Sequence, residues 1–175
     1  QDERRTFLYP INVLRSIAVS KVRTDYHLLI DVDFMPSPGL CQYFNQFLSE
    51  QQKEMDHQLN IQDPHKNVYI LPSFEIDQMR YLIQMPRTKE DLLRLVQSEK
   101  ARQIHLRMAP ESQIATDYER WMRSNDMYEV NYMPHYEPFF VAHRSAIKHD
   151  PRFRGYGFDK ASHIYELQRA LYRMF

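Results

Sequence analysis

Tyr26-His27-Leu28-Leu29-Ile30-Asp31-Val32-Asp33-Phe34 is an apolar run that stops at two carboxylates one residue apart. The run is too short for an isolated helix and rich in strand formers, which predicts a buried strand from His27 to Ile30. Side chains alternate along a strand, so Asp31 and Asp33 are expected on the same side of its C-terminal end. Two hard oxygen ligands there suit a divalent cation such as Mn²⁺ or Mg²⁺, which in turn holds a diphosphate. In open α/β sheets, ligands gather at the carboxyl ends of strands. Asp-x-Asp by itself is also a common tripeptide of solvated turns. The apolar run before it and Phe34-Met35-Pro36-Ser37-Pro38-Gly39 after it sharpen the metal reading.

Outward from that stretch, helices and strands interleave. Ile11, Leu14, Ile17, Ala18 and Val22 share one helical face, with Pro10 at the start, where proline is tolerated. Leu40, Tyr43, Phe44, Phe47 and Leu48 make another stripe, fading into a polar loop or frayed helix over Ser49–Asn60. Asn67–Leu71 reads as a second core strand closed by Pro72, and Glu129–Tyr132 and Pro138–Ala142 as further strands. Thr88-Lys89-Glu90-Asp91 and Thr116-Asp117-Tyr118-Glu119 read as capping boxes that open helices. Ser162–Met174 reads as a last amphipathic helix through Ile164, Leu167 and Leu171. The expected class is α/β with helices and a mostly parallel or mixed sheet, and residues 1–175 are expected to form a single domain.

At 175 residues there is room for one core and not comfortably for two. Lys plus Arg and Asp plus Glu balance at 23 each, so no bulk field invites nucleic acid or an anionic membrane. The one cysteine, Cys41, excludes an internal disulfide and a cysteine-rich zinc site. No apolar run approaches the length of a membrane span. Histidines such as His105 and His143 read as hydrogen-bonded core residues in preference to ligands.

Several segments together resemble the LARGE-type glucuronyltransferases, the family that includes the β-1,4-glucuronyltransferase of dystroglycan glycosylation. They are Tyr9-Pro10-Ile11-Asn12-Val13-Leu14-Arg15, Leu29 to Leu40, Leu71-Pro72-Ser73-Phe74-Glu75, Arg87 to Leu93, Ala115 to Trp121, Tyr136 to Val141, and Arg152 to Lys160. They run in the family's order over nearly the whole chain. The resemblance implies a glycosyltransferase A-type fold and an Mn²⁺-dependent, inverting transfer from a UDP-sugar, UDP-glucuronate in characterised members, to a glycan acceptor. It further implies a domain facing the Golgi lumen behind an upstream membrane anchor. Asp31 and Asp33 match the family's metal-binding motif.

Inversion needs a carboxylate opposite the leaving group to take the acceptor hydroxyl's proton. Glu137, between Tyr136 and Pro138, and Asp159, after the glycine-bearing Gly155-Tyr156-Gly157-Phe158, are the candidates. Structural roles compete for both: a helix cap or ion-pair partner for Glu137, and an N-cap of the last helix for Asp159. The resemblance implies Asn at the position of Asp159 in many relatives, which favours Glu137 as the base. Lys160 is a candidate for a phosphate or the donor's carboxylate.

The family places its uridine-binding strands well before the Asp-x-Asp, while thirty residues precede Asp31 here. It also continues, beyond the position of Phe175, into a strand and a histidine that completes the metal shell. The expectation is therefore an A-type domain incomplete at its N-terminal nucleotide-binding part. The alternative to an active transferase is an inactive, transferase-like subunit whose open sheet edge is covered by other protein chains.

Overall fold

A computed structural model describes residues 8–55, 63–76 and 84–175. Helix α1 (Ile11–Ser20) leads to strand β1 (Tyr26–Leu28), followed by α2 (Leu40–Met55), β2 (Asn67–Leu71) and β3 (Phe74–Ile76). Then come α3 (Lys89–Gln97), β4 (Ala101–Gln103), α4 (Tyr118–Arg123), β5 (Phe139–His143), α5 (Asp159–Arg169) and β6 (Arg173–Met174). The described residues fall into two compact units that share the chain discontinuously. The first holds the residues up to Leu29, then His65–Ser73 and His105–Phe175; the second holds the described parts of Ile30–Pro64 and Phe74–Ile104.

The first is a sheet unit with strand order β1-β5-β2-β6. β5 runs antiparallel to both its neighbours, pairing Leu28 with Val141 and Tyr69 with Val141, and β6 runs parallel to β2. The mixed α/β architecture expected from the sequence is therefore present. The core joins Val68 and Ile70 of β2, Ala142 of β5, Ile164 and Leu167 of α5, Met174 of β6, and Val130 and Tyr136 from the connection before β5. Val68, Tyr136 and Leu167 are wholly enclosed. Enclosure forces their polar atoms into pairs. The Tyr136 hydroxyl lies 2.8 Å from Thr116 Oγ1, and Tyr118 donates to the Ser73 carbonyl at 3.0 Å while accepting its N–H at 3.2 Å. Burial pushes the Tyr118 phenol up to about 12.

The second is a hairpin unit. β3 and β4 pair antiparallel from Phe74–Gln103 to Ile76–Ala101, with Glu75 bonded to Arg102 across the strands at 2.8 Å. Thr88 caps α3 as its sequence predicts, its Oγ1 accepting the Asp91 N–H at 3.1 Å.

Several elements differ from the sequence reading. On α1 the buried side chains are Asn12, Arg15 and Val19, while Leu14 and Ile17 of the apolar stripe are exposed. Long-range partners for the polar pair turn the helix that way. α2 continues through residues 49–55, which the sequence marks as loop or frayed helix, and the rest of that stretch lies outside the described residues. The last helix starts at Asp159 and ends at Arg169. There Leu171 takes a left-handed φ of 62°, the Tyr172 N–H closes back on the Leu167 carbonyl, and the chain re-enters the sheet as β6. Glu129–Tyr132 is not a strand, although the Val130 N–H bonds to the Met174 carbonyl at 2.7 Å. A smaller shift moves the α4 cap from Thr116 to Asp117, whose carboxylate accepts the Arg120 N–H.

Candidate active site

The two groups of predicted site residues belong to different units. Asp31 and Asp33 open the hairpin unit, whereas Glu137, Asp159 and Lys160 lie in the sheet unit.

β1 ends at Leu28, short of the predicted Ile30, because its ladder with β5 closes at the Leu28–Val141 pair. The chain then turns. The Phe34 N–H bonds to the Asp31 carbonyl at 3.1 Å, which makes Asp31–Phe34 a tight turn with Val32 and Asp33 in its middle. Strand alternation therefore does not fix the direction of the two carboxylates. Asp31 is partly buried, and Val32 and Asp33 are exposed. The donor set itself suits a hard cation. Mg²⁺ and Mn²⁺ accept one or two carboxylates and take their remaining oxygens from water and substrate phosphate. Among the described residues, no group of three or more His, Cys, Asp or Glu side chains is placed to hold a metal ion. A cation held by Asp31 and Asp33 would therefore have to draw its remaining oxygens from elsewhere.

The sheet unit holds the more constructed cluster. Glu137 sits two residues before β5, and its backbone is pinned on both sides. Its N–H donates to the Ser112 carbonyl at 2.9 Å, and its carbonyl accepts from Gln113 Nε2 at 3.0 Å. The side chain reaches the start of α5, where its carboxylate accepts the Ala161 N–H, a donor left over by the first helical turn. Burial is the main influence on this carboxyl and pushes it above the usual range, and the Asp159 charge adds to the rise. Lys160, the Ala161 N–H and His105 pull the other way. Three of the predicted residues therefore act on one another, and Glu137 is the one whose environment favours a basic carboxylate.

Asp159, the first residue of α5, is held from α1. Arg15, itself buried, forms an ion pair with its carboxylate through Nη1. Asn12 is wholly enclosed: its Oδ1 accepts from Arg15 at 3.2 Å, and its Nδ2 donates to the Asp150 and Asp159 carbonyls, each at 3.2 Å. Asp159 is not the N-cap; that position is Phe158, whose side chain makes no capping bond. The Lys160 ammonium lies 4.6 Å from the centroid of the Phe139 ring, a cation–π distance. Sequence reasoning missed Arg15, Asn12 and the role of His105. The signal available for the first two was a pair of large polar side chains three residues apart in a mainly apolar helix.

The family model described as a glycosyl-transferase for dystroglycan matches residues 1–174. This chain belongs to that dystroglycan glycosyltransferase family. Its family relatives include a xylosyl- and glucuronyltransferase LARGE2s of Gallus gallus, 34% identical over 166 residues, a match covering 95% of this chain and 21% of the relative. The LARGE2 enzyme of Homo sapiens is 32% identical over 95% of this chain and 22% of its own length. A glycosyltransferase-like protein, gnt14, of Dictyostelium discoideum is 35% identical over 90% of this chain and 23% of its own length. This family member thus spans about a fifth of the length of the curated relatives it matches. No helix among its described residues is long and apolar enough to cross a membrane.

Proposed function

We propose that this chain is part of the catalytic domain of a metal-dependent, inverting glycosyltransferase of the Golgi lumen. It transfers a sugar, glucuronate first among the candidates, from a UDP donor to a glycan acceptor. The observation that carries the reading is the Glu137 carboxyl, pinned by its backbone, set against the start of α5 and made more basic by burial and by Asp159. A base for an acceptor hydroxyl gains from a raised value, because its conjugate acid then holds the transferred proton better at working pH. Family membership supplies the reaction class.

In this reading Glu137 accepts the proton of the acceptor hydroxyl as that oxygen attacks the anomeric carbon. Asp159 is a fixed charge, held by Arg15, that keeps Glu137 basic. Lys160 is the cation assigned to an anionic group of the donor, its phosphate or its sugar carboxylate. Asp31 and Asp33 are the carboxylates that would hold Mn²⁺ or Mg²⁺. A divalent ion bound there supplies Lewis-acid stabilisation of the departing diphosphate.

The test is UDP release and sugar transfer by the protein with Mn²⁺ and UDP-sugars. Glu137→Gln should lower turnover by about 10²- to 10⁴-fold while leaving Mn²⁺-dependent UDP binding in place. Asp33→Ala should remove that binding. A wild-type protein that folds and binds neither Mn²⁺ nor UDP would instead be the structural subunit, with partner chains in place of substrates.

A further inference from the structure

Phe158 is unfavourable where it stands in three separate ways. It holds the N-cap of α5 with a left-handed backbone, φ 57° and ψ 2°, which a bulky side chain adopts only under constraint. Helix N-caps favour Ser, Thr, Asn, Asp and Gly, and Phe158 makes no capping hydrogen bond. The residue is also 59% exposed. Glycine or asparagine would relieve the backbone, and neither is present.

A second strained residue meets it. His135, exposed and at φ 67°, places its ring 5.4 Å from the Phe158 ring at a tilt of 48°. The two rings come from the two segments that build the base. His135 lies two residues before Glu137. Phe158 lies three residues before Ala161, whose N–H holds the Glu137 carboxylate, about 4.5 Å along the helix axis. Two residues before Phe158, Tyr156 stands fully in solvent between Gly155 and Gly157, both at positive φ.

We propose that the Phe158 and His135 rings form a stacking platform for the acceptor sugar, positioned so that its hydroxyl meets Glu137. The inference rests on the transfer reading above and adds the acceptor's place to it. The surface is small and aromatic, and the carboxylates of Glu137 and Asp159 and the Lys160 ammonium lie along the same two segments. That combination suits one saccharide, whose C–H face lies on rings while its hydroxyls reach polar groups. Tyr156 is the natural second ring for the next sugar along the acceptor.

The experiment uses methyl β-xyloside and methyl β-glucuronide as acceptor probes. Irradiating the aromatic protons of the wild-type protein should transfer saturation to the C–H protons of at least one glycoside. Phe158→Gly should abolish that transfer, raise the acceptor KM roughly three- to tenfold with little change in kcat, and leave the melting temperature equal or higher. His135→Gly is the second variant, with the same readouts. A Phe158→Gly protein that keeps its acceptor KM, or that melts earlier because the ring is a structural plug, overturns the proposal. Saturation transfer in a protein that turns over no UDP-sugar would sink the transfer reading alone. Turnover with no saturation transfer would sink the platform alone.

Discussion

The sheet unit and the hairpin unit are built from one chain by different means. In the sheet unit, Val68, Tyr136, Ile164 and Leu167 are all but sealed from solvent, and buried polar groups such as Asn12 and Thr116 are enclosed with them. In the hairpin unit the sealed apolar residues among those described are Ala101 and Ile104, and large residues such as Met35 and Tyr43 lie in solvent. Burial of apolar area is the main source of folding free energy. The sheet unit therefore holds its site residues on a stiff frame, and the hairpin unit presents Asp31 and Asp33 from a turn. The proposed transfer fits that contrast, since a proton acceptor would need fixed geometry whereas metal ligands sharing their ion with a substrate would tolerate looser placement.

The largest expected effect tests the stiffness of that frame. Arg15→Ala leaves the Asp159 carboxylate without its buried partner and one Asn12 acceptor unfilled, which should cost about 3–5 kcal/mol in denaturant unfolding. Hydrogen exchange then sharpens or breaks the contrast. Protection should fall across β1, β2 and β5 and persist in the β3–β4 pair. Equal loss in both units would mean that they unfold as one.

A second test titrates the sheet unit. The His149 and His163 rings stack at 3.8 Å, each with a buried Nδ1 that has no hydrogen-bond partner, and the His27 Nδ1 is in the same condition. Burial lowers all three, His149 to about 3 from 6.5. Below pH 6.5 the unfolded chain takes up protons that the native imidazoles refuse, so stability is full above 6.5 and drains as pH falls toward 3. His149 alone contributes on the order of 1.4 kcal/mol per pH unit across that window. Glu137 has the opposite sign: its raised value favours the folded state below about 4.5 and loses that contribution as pH rises past it. His149→Phe should flatten the acid arm of melting temperature against pH. An unchanged arm would mean that other groups set it.

The smallest effect probes the hairpin unit. Thr88→Ala removes the α3 cap bond and should cost about 1 kcal/mol, read as faster exchange of the Asp91 amide with the sheet unit undisturbed.

What the sequence made legible was local. Asn67–Leu71, Pro138–Ala142 and the Thr88 cap follow from short-range pattern, and the structure has each within a residue of its expected place. The buried face of α1 was not legible, because Asn12 is buried by carbonyls 138 and 147 residues away. The end of the last helix was missed because Leu171 continues the apolar spacing while its backbone reverses the chain. At the site, Glu137, Asp159 and Lys160 could be named from chemistry and resemblance. Their mutual influence depends on the start of α5 meeting the segment before β5, which no periodicity encodes.

The interleaving of the units has a consequence for how this protein can vary. Each excursion departs after a ladder has closed, at Leu28–Val141 and then at Leu71–Phe139, so lengthening either detour leaves the strand register untouched. Descendants of this chain can remodel the turn that bears the paired aspartates while Glu137 inherits its setting unchanged.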